Sequence, residues 1–487
     1  MTVQEQQMYE KLQRTNALQA RQLGEQSRII ARQEELISAL LQKLDEITKD
    51  RKDSHNSSKP PSSDGYGKKP APKSLRKSTG KKQGGQPGHK GSGMKIDREP
   101  DEVIQHYPTD CEGCPNRGKC QAAVAERRYE YDCVFEIKLY EHQQMKCACA
   151  KADGAEQMGT FPAHIRSSKQ YGENITALVS ALSAVGMVSI DQIHKLLQGV
   201  FDLPISTGAI HSMLDRLHGS VKKAVEAIKD HVKSLSILHV DETGWRVEGK
   251  LHWLHCACDS EWSYFTVDKK RGSEAMDRIG ILPAFANIMM HDCWSPYDKY
   301  TEAIHALCGA HVLRECVYMN ENLNQPWAAE MKSLLEEILH ERHEMEAAGA
   351  VGFRPEQLEH FSARYDAILA GGIAENPIPQ RTAGQRGRRK KGKIRALLDR
   401  LQDKKEQFLR FASNWTVPFT NNEAERAIRF SKRKLNISGC FRTLTGADKY
   451  AAIMSYISTA AKHGVSSFAA IKIALSGGAL PLVNGWG

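Results

Sequence analysis

The chain has 487 residues, 40% of them hydrophobic, so it is long enough for about three domains and apolar enough to pack cores. A formal charge of +10, from 68 Lys and Arg against 58 Asp and Glu, favours a polyanionic partner, nucleic acid before an anionic membrane. The opening residues have no apolar secretory core. The most apolar stretches, Ala177 to Val188 and Ala451 to Ala461, are too short and too interrupted to span a bilayer, so a cytoplasmic protein with no membrane partner is expected.

Residues 1–49 read as one helix. A seam repeats every seven residues at Tyr9, Asn16, Leu23, Ile30, Ile37 and Leu44, beside a companion row of Leu12, Gln19, Gln26, Gln33, Leu40 and Ile47. A half-wet heptad seam predicts a coiled coil and self-association. Residues 50–100 are rich in Lys, Arg, Pro and Gly and poor in apolar side chains, which predicts a basic disordered linker able to lie along phosphates. Residues 101–165 hold Cys111 and Cys114, then Cys147 and Cys149, around an alternating stretch from Tyr129 to Leu139 that reads as a strand. Two close thiol pairs suit one structural Zn²⁺, with Cys120 or Cys133 able to replace a member. In residues 166–232, Ile190, Ile193, Leu197 and Val200 share a helical face. A turn at Phe201–Pro204 follows, then a second helix capped by Ser206 or Thr207 and carrying Ile210, Met213 and Leu217. This pair reads as a helix-turn-helix region, with His211 and Arg216 as candidate DNA contacts.

Residues 233–316 and 414–440 are the expected catalytic part. Ser236 to Val240 reads as a strand ending on Asp241 and Glu242. Two further antiparallel strands follow at Leu251 to Cys258 and Trp262 to Val267, then a helix, then a strand from Ala286 to Met290 ending on His291 and Asp292. That order fits a ribonuclease H-like α/β domain. A single helix from Asn421 to Leu435 would place Asn422, Glu425, Arg429 and Lys432 on one face. Three carboxylates in one pocket repel each other unless a cation joins them. Asp241, Asp292 and Glu425 are therefore read as ligands of Mg²⁺ or Mn²⁺, two ions being suited to phosphoryl displacement. Glu423 is the rival to Glu425, and Glu242 and Asp298 are weaker alternates. Residues 317–413 read as a helical insertion with the basic run Arg388, Arg389, Lys390 and Lys391 tracking a DNA backbone. Arg429 and Lys432 would hold phosphates, and 441–487 is a C-terminal helical element.

The motifs AsnSerSerLysProProSerSerAsp (56–64), HisValAspGluThrGlyTrpArgVal (239–247), HisAspCysTrpSerProTyr (291–297), CysGlyAlaHisValLeuArg (308–314) and AsnAsnGluAlaGluArgAlaIleArg (421–429) occur in that order. On these residues the chain resembles bacterial transposases of the insertion sequence sixty-six family, of the DDE class. The resemblance implies that Asp241 and Asp292 are the catalytic aspartates and Glu425 the glutamate. Cys308, His311 and Arg314 form a C-x-x-H-x-x-R pattern seen in several DDE families, read as a helix face that packs beside the active site in preference to a second zinc site. The expected activity is binding of terminal inverted repeats, with metal-dependent cleavage and transfer of strands of double-stranded DNA, at element ends and target. Element-encoded accessory proteins are candidate partners. The alternative is a catalytically silent DNA-binding regulator or relic.

Overall fold

A computed structural model describes residues 3–49, 96, 98–106, 114–115, 119, 124–131, 136–147, 157–378 and 391–486. The chain divides into two compact units, one of Met1–Pro72, Lys169–His194 and Ile205–Gly487, the other of Lys73–Ser168 and Lys195–Pro204. Among the described residues no helix is long and apolar enough to cross a membrane.

Helix α1 (Val3–Lys49) is continuous, and its seam residues Leu23, Ile30 and Ile37 are exposed on the single chain. In the smaller unit, β1 (Lys146–Cys147) pairs antiparallel with β2 (Gln157–Met158). The strand predicted over Tyr129 to Leu139 is absent from its described residues. Leu139 is 98% exposed there, and an alternating pattern without a sheet face to cover has nothing to hold it extended. Of the expected zinc ligands, Cys114 is half-buried and free of any disulfide, and Cys147 is described by its backbone in β1. Cys111 and Cys149 lie outside the described residues, as do Arg388, Arg389, Lys390 and all but 96 and 98–100 of the basic linker.

After α1, the larger unit continues with α2 (Glu173–Ala184), the start of α3 (Ile190–Phe201), which is shared between the units, and α4 (Thr207–Val232). The Ser206 hydroxyl caps α4 by accepting the Ala209 N–H at 3.1 Å. The helix expected to stop near Leu217 runs on to Val232, because Val221, Ala224, Val225, Ile228 and Val232 continue its apolar stripe into the core. The sheet comprises β3 (Ile237–Val247), β4 (Lys250–Cys258), β5 (Ser263–Asp268), β6 (Ile288–His291) and β7 (Ile304–Leu307), in the order β5-β4-β3-β6-β7. β3, β4 and β5 run antiparallel, whereas β6 lies parallel to β3 and β7 parallel to β6. The two-residue turn Glu248–Gly249 has both φ angles positive, 53° and 71°, as a twisted hairpin requires. β3 does not end at Val240 as its apolar run implied. The polar residues Asp241 to Gly244 keep their ladder with β4, and apolar Trp245 and Val247 re-enter the core.

Helix α5 (Ser273–Ile279) joins β5 to β6. After β7 come α6 (Gly309–Leu323), α7 (Pro326–Ala347), α8 (Pro355–Glu375), α9 (Gly392–Asp403) and α10 (Lys405–Ser413), the helical insertion expected from the sequence. They close around their own core, which includes Trp327, Leu334, Ile338, Tyr365, Leu401 and Phe411. Buried Arg342 donates to the carbonyls of Phe411 (2.7 Å), Trp415 (2.5 Å) and Val417 (2.8 Å), fixing the segment that leaves α10.

The helix predicted from Asn421 to Leu435 is two helices, α11 (Asn422–Ala427) and α12 (Arg429–Ser438). At the break, Ser431 bonds the Ile428 carbonyl with both its hydroxyl (2.6 Å) and its N–H (3.1 Å), so the regular ladder is interrupted there. The segment after α12 returns to β3: Phe441 N–H donates to Arg246 (2.9 Å) and its carbonyl accepts from Glu248 (2.8 Å). Helices α13 (Leu444–Lys462), α14 (Ser467–Leu475) and α15 (Ala479–Asn484) complete the unit. Ser455 and Thr459, one turn apart on α13, accept the Phe265 and Ser263 N–H groups at 2.8 and 3.1 Å, covering the β5 edge with side-chain hydroxyls.

Candidate active site

β3 and β6 pair from Ile237↔Ile288 to His239↔Met290. Carrying that register two places on sets Asp241 level with Asp292, just past the end of the parallel ladder. Adjacent parallel strands thus deliver two carboxylates at the carboxyl end of their shared ladder, where open α/β sheets place ligands, although β3 itself runs on beside β4. Asp241 Oδ1 accepts the Glu242 N–H (2.8 Å), and Asp292 Oδ1 accepts the Trp294 N–H (2.9 Å). Burial, and then the charge of Asp292, raise the Asp241 carboxyl to about 7; Glu425 adds to this, while the Glu242 N–H and His311 oppose it.

Glu425 lies on α11, half-buried, and its Oε1 is buried with no hydrogen-bond partner among the described residues. Its placement follows from Asn421, the residue at which the helix was expected to begin. Asn421 makes no side-chain cap on α11. Instead its Oδ1 meets His239 Nδ1 (2.8 Å), its Nδ2 donates to the Val240 carbonyl (2.8 Å), its N–H donates to Cys308 Sγ (3.2 Å) and its carbonyl accepts the Glu425 N–H (3.2 Å). One buried amide therefore ties the strand of Asp241 to the helix of Glu425. Glu423, the rival acid, acts on His239, whereas Glu425 acts on Asp241 and His311.

Beside Asp241, the buried Glu242 carboxylate accepts from Arg271 Nε (2.7 Å) and from the Tyr297 hydroxyl. Burial, with the charges of Asp241 and Asp292, still raises it to about 8 against the pull of Arg271. The Arg271 guanidinium packs over Trp294 at 3.8 Å and Trp253 at 5.0 Å, both half-buried. Glu242 is thus engaged, and Asp298, the other alternate, pairs with Lys404 at 2.5 Å.

Asp241, Asp292 and Glu425 are electrostatically coupled but do not crowd tightly. Among the described residues, the donors that lie within 4.8 Å of one another as a group of three are those of Cys308, His311 and Glu425. Burial would lower His311, but the Cys308 sulfur outweighs it and, with Glu425, raises the imidazole to about 9. Among the expected DNA contacts, Arg429 and His211 are exposed and Lys432 is half-buried. Arg216 bonds Glu173 (3.2 Å), and Lys391 pairs with Asp399, so both are already engaged within the chain.

The family model described as Transposase IS66 family matches residues 168–449, more than half of the chain. A family of unknown function, DUF6444, matches residues 6–95. Comparison with curated proteins gives no match.

Proposed function

Because the chain belongs to the IS66 family of transposases, we propose that it binds the terminal inverted repeats of its element and catalyses metal-dependent cleavage and transfer of DNA strands. The observation that carries this reading is that Asp292, level with Asp241 across adjacent parallel strands, and Glu425 both act electrostatically on Asp241, while Glu425 Oε1 is buried without a hydrogen-bond partner among the described residues. Parallel β6 and β7 beside the antiparallel trio β3, β4 and β5 support a ribonuclease H-like reading of the sheet.

Asp241, raised first by burial and then by the charge of Asp292, together with the orphaned Glu425 Oε1, fits hard divalent cations, Mg²⁺ or Mn²⁺. Such ions, when bound, activate the attacking hydroxyl or water and stabilise the leaving oxygen. The chain's own residues supply the frame. Backbone N–H groups of Glu242 and Trp294 orient one oxygen of each aspartate, leaving the other for a ligand. Arg271 and Tyr297 hold Glu242 aside, so this fourth acid is kept from the ligand set. Exposed Arg429, four residues beyond Glu425, is suited to a backbone phosphate. A structural Zn²⁺ at Cys111, Cys114, Cys147 and Cys149, DNA contacts by residues 166–232, and accessory partners belong to the same proposal.

The test is incubation of the full chain with its element's ends and a target duplex, with divalent metal supplied or withheld. Joined strands are expected with metal alone. Cleaved but unjoined ends would make it a nuclease, and uncut DNA bound tightly would make it a silent regulator.

A further inference from the structure

We propose that Cys308, His311 and Glu425 form a site for one borderline-soft divalent cation of the Zn²⁺ type, distinct from the hard-cation set. Three observations support it independently. Their ligand atoms lie within 4.8 Å of one another. His311 Nδ1 and Glu425 Oε1 are both buried without a hydrogen-bond partner among the described residues, a rare condition for native polar atoms. Cys308 is the N-cap residue of α6, and its buried sulfur already accepts the Asn421 N–H at 3.2 Å, which fixes its lone pairs beside His311 and Glu425.

Local sequence explains the geometry. In Cys308–Gly309–Ala310–His311 the cysteine precedes the helix and the histidine falls in its first turn. Gly309 lets the chain approach closely: a Cβ there would stand 2.2 Å from the Phe419 ring, and the Gly309 N–H donates to the Phe419 carbonyl at 2.8 Å. That contact brings the segment carrying Asn421 and Glu425 against the start of α6.

Sulfur and imidazole ligands select Zn²⁺-type ions, whereas Mg²⁺ selects oxygen. Three protein ligands leave one tetrahedral position for water or substrate. Binding displaces the Cys308 thiol proton to solvent. Glu425 has two carboxylate oxygens, so it can serve this ion and the Asp241–Asp292 pair together. Only that bridging role rests on the proposed strand-cleavage chemistry; the site itself rests on the geometry above.

Titration of the chelator-stripped full chain with Co²⁺ provides the test, read by thiolate-to-metal absorption and by equivalents bound. The cysteines of 111–149 also take Co²⁺, so the measured quantity is the difference between variants. Wild type is expected to bind one thiolate-ligated equivalent more than Cys308→Ser or His311→Gln, and Asp241→Asn to keep that thiolate-ligated equivalent whatever it loses at the aspartates. Glu425→Gln, which keeps shape and removes charge, should weaken that equivalent by at least about 10-fold, and it supplies the answer if either other variant fails to fold. Equal uptake by wild type and the folded variants would overturn the site. Loss of the same equivalent in Asp241→Asn would also overturn it, placing the ion among the aspartates instead.

Discussion

Asp241 is a residue whose chemistry works against the stability of its own fold. Its carboxyl is raised from 3.8 to about 7, first by burial and then by Asp292. A raised acid pKa means that the folded state holds the proton more tightly than the unfolded chain. The resulting penalty is fully present above the folded value and fades as pH falls towards the unfolded one. In chelator, Asp241→Asn should therefore unfold later than wild type, by up to about 3–4 kcal/mol at about pH 8, with the gain vanishing near about pH 4. Equal denaturation midpoints at both pH values would contradict the burial argument. Asn421 makes the complementary case. Asn421→Ala removes the link from Val240 and His239 to α11. It should lower Mn²⁺ affinity and cleavage rate by about 10–100-fold while DNA affinity stays level. Calorimetric Mn²⁺ binding unchanged from wild type would show that Glu425 is positioned by something else.

At the scale of elements, the strands were readable where apolar runs meet turn residues, and less so elsewhere. The runs before Asp241 and Asp292 marked both acids because a buried parallel strand needs apolar residues on both faces. β3 was cut short in the reading because Asp241, Glu242 and Thr243 look like a strand end. The ladder that continues through them is a long-range property of β4. β7 escaped because four residues, Ile304 to Leu307, carry too little pattern to separate from a loop. The break at Ile428 depends on Ser431, a local competitor for a carbonyl that helical periodicity does not register. Asn421 reads from sequence only as the start of a helix, and only the fold brings His239 to it. Arg342 is another such case: besides Glu346 one turn on, this buried cation bonds carbonyls 69 to 75 residues away. Arg342→Met should orphan the carbonyls of Phe411, Trp415 and Val417 and cost on the order of 3 kcal/mol in chemical denaturation. Arg342→Lys should recover only part of that, since an ammonium lacks the planar fork. A Met variant as stable as wild type would show that those carbonyls find other donors.

For the whole molecule, the succession of compositions predicts a coiled coil, basic linker, cysteine module, helices and a sheet in that order. Of these, the mixed α/β part is observed as helices around a five-stranded sheet. What composition does not reveal is that α2, α4 and α13 share one core with the sheet, because their apolar stripes carry no label for their partner. Self-association belongs to this scale. Leu23, Ile30 and Ile37 are 63%, 55% and 56% exposed on one chain, a seam that a second copy would cover. Ile30→Lys with Ile37→Lys should lower the mass seen by light scattering, and an unchanged mass at a concentration where wild type associates would contradict the seam.

The central claim is that Asp241, Asp292 and Glu425 act together in metal-dependent strand cleavage. It is tested most directly by the cleavage rate of Asp292→Asn, Glu425→Gln and Glu423→Gln on the element's own ends. The account predicts that the first two lose at least about two to three orders of magnitude, roughly 3–4 kcal/mol in the barrier, with DNA affinity level or higher. Glu423→Gln, which removes a charge that acts on His239, should cut as wild type does. A dead Glu423→Gln beside an active Glu425→Gln would contradict the assignment of the third acid, and wild-type cleavage by all three would contradict the mechanism.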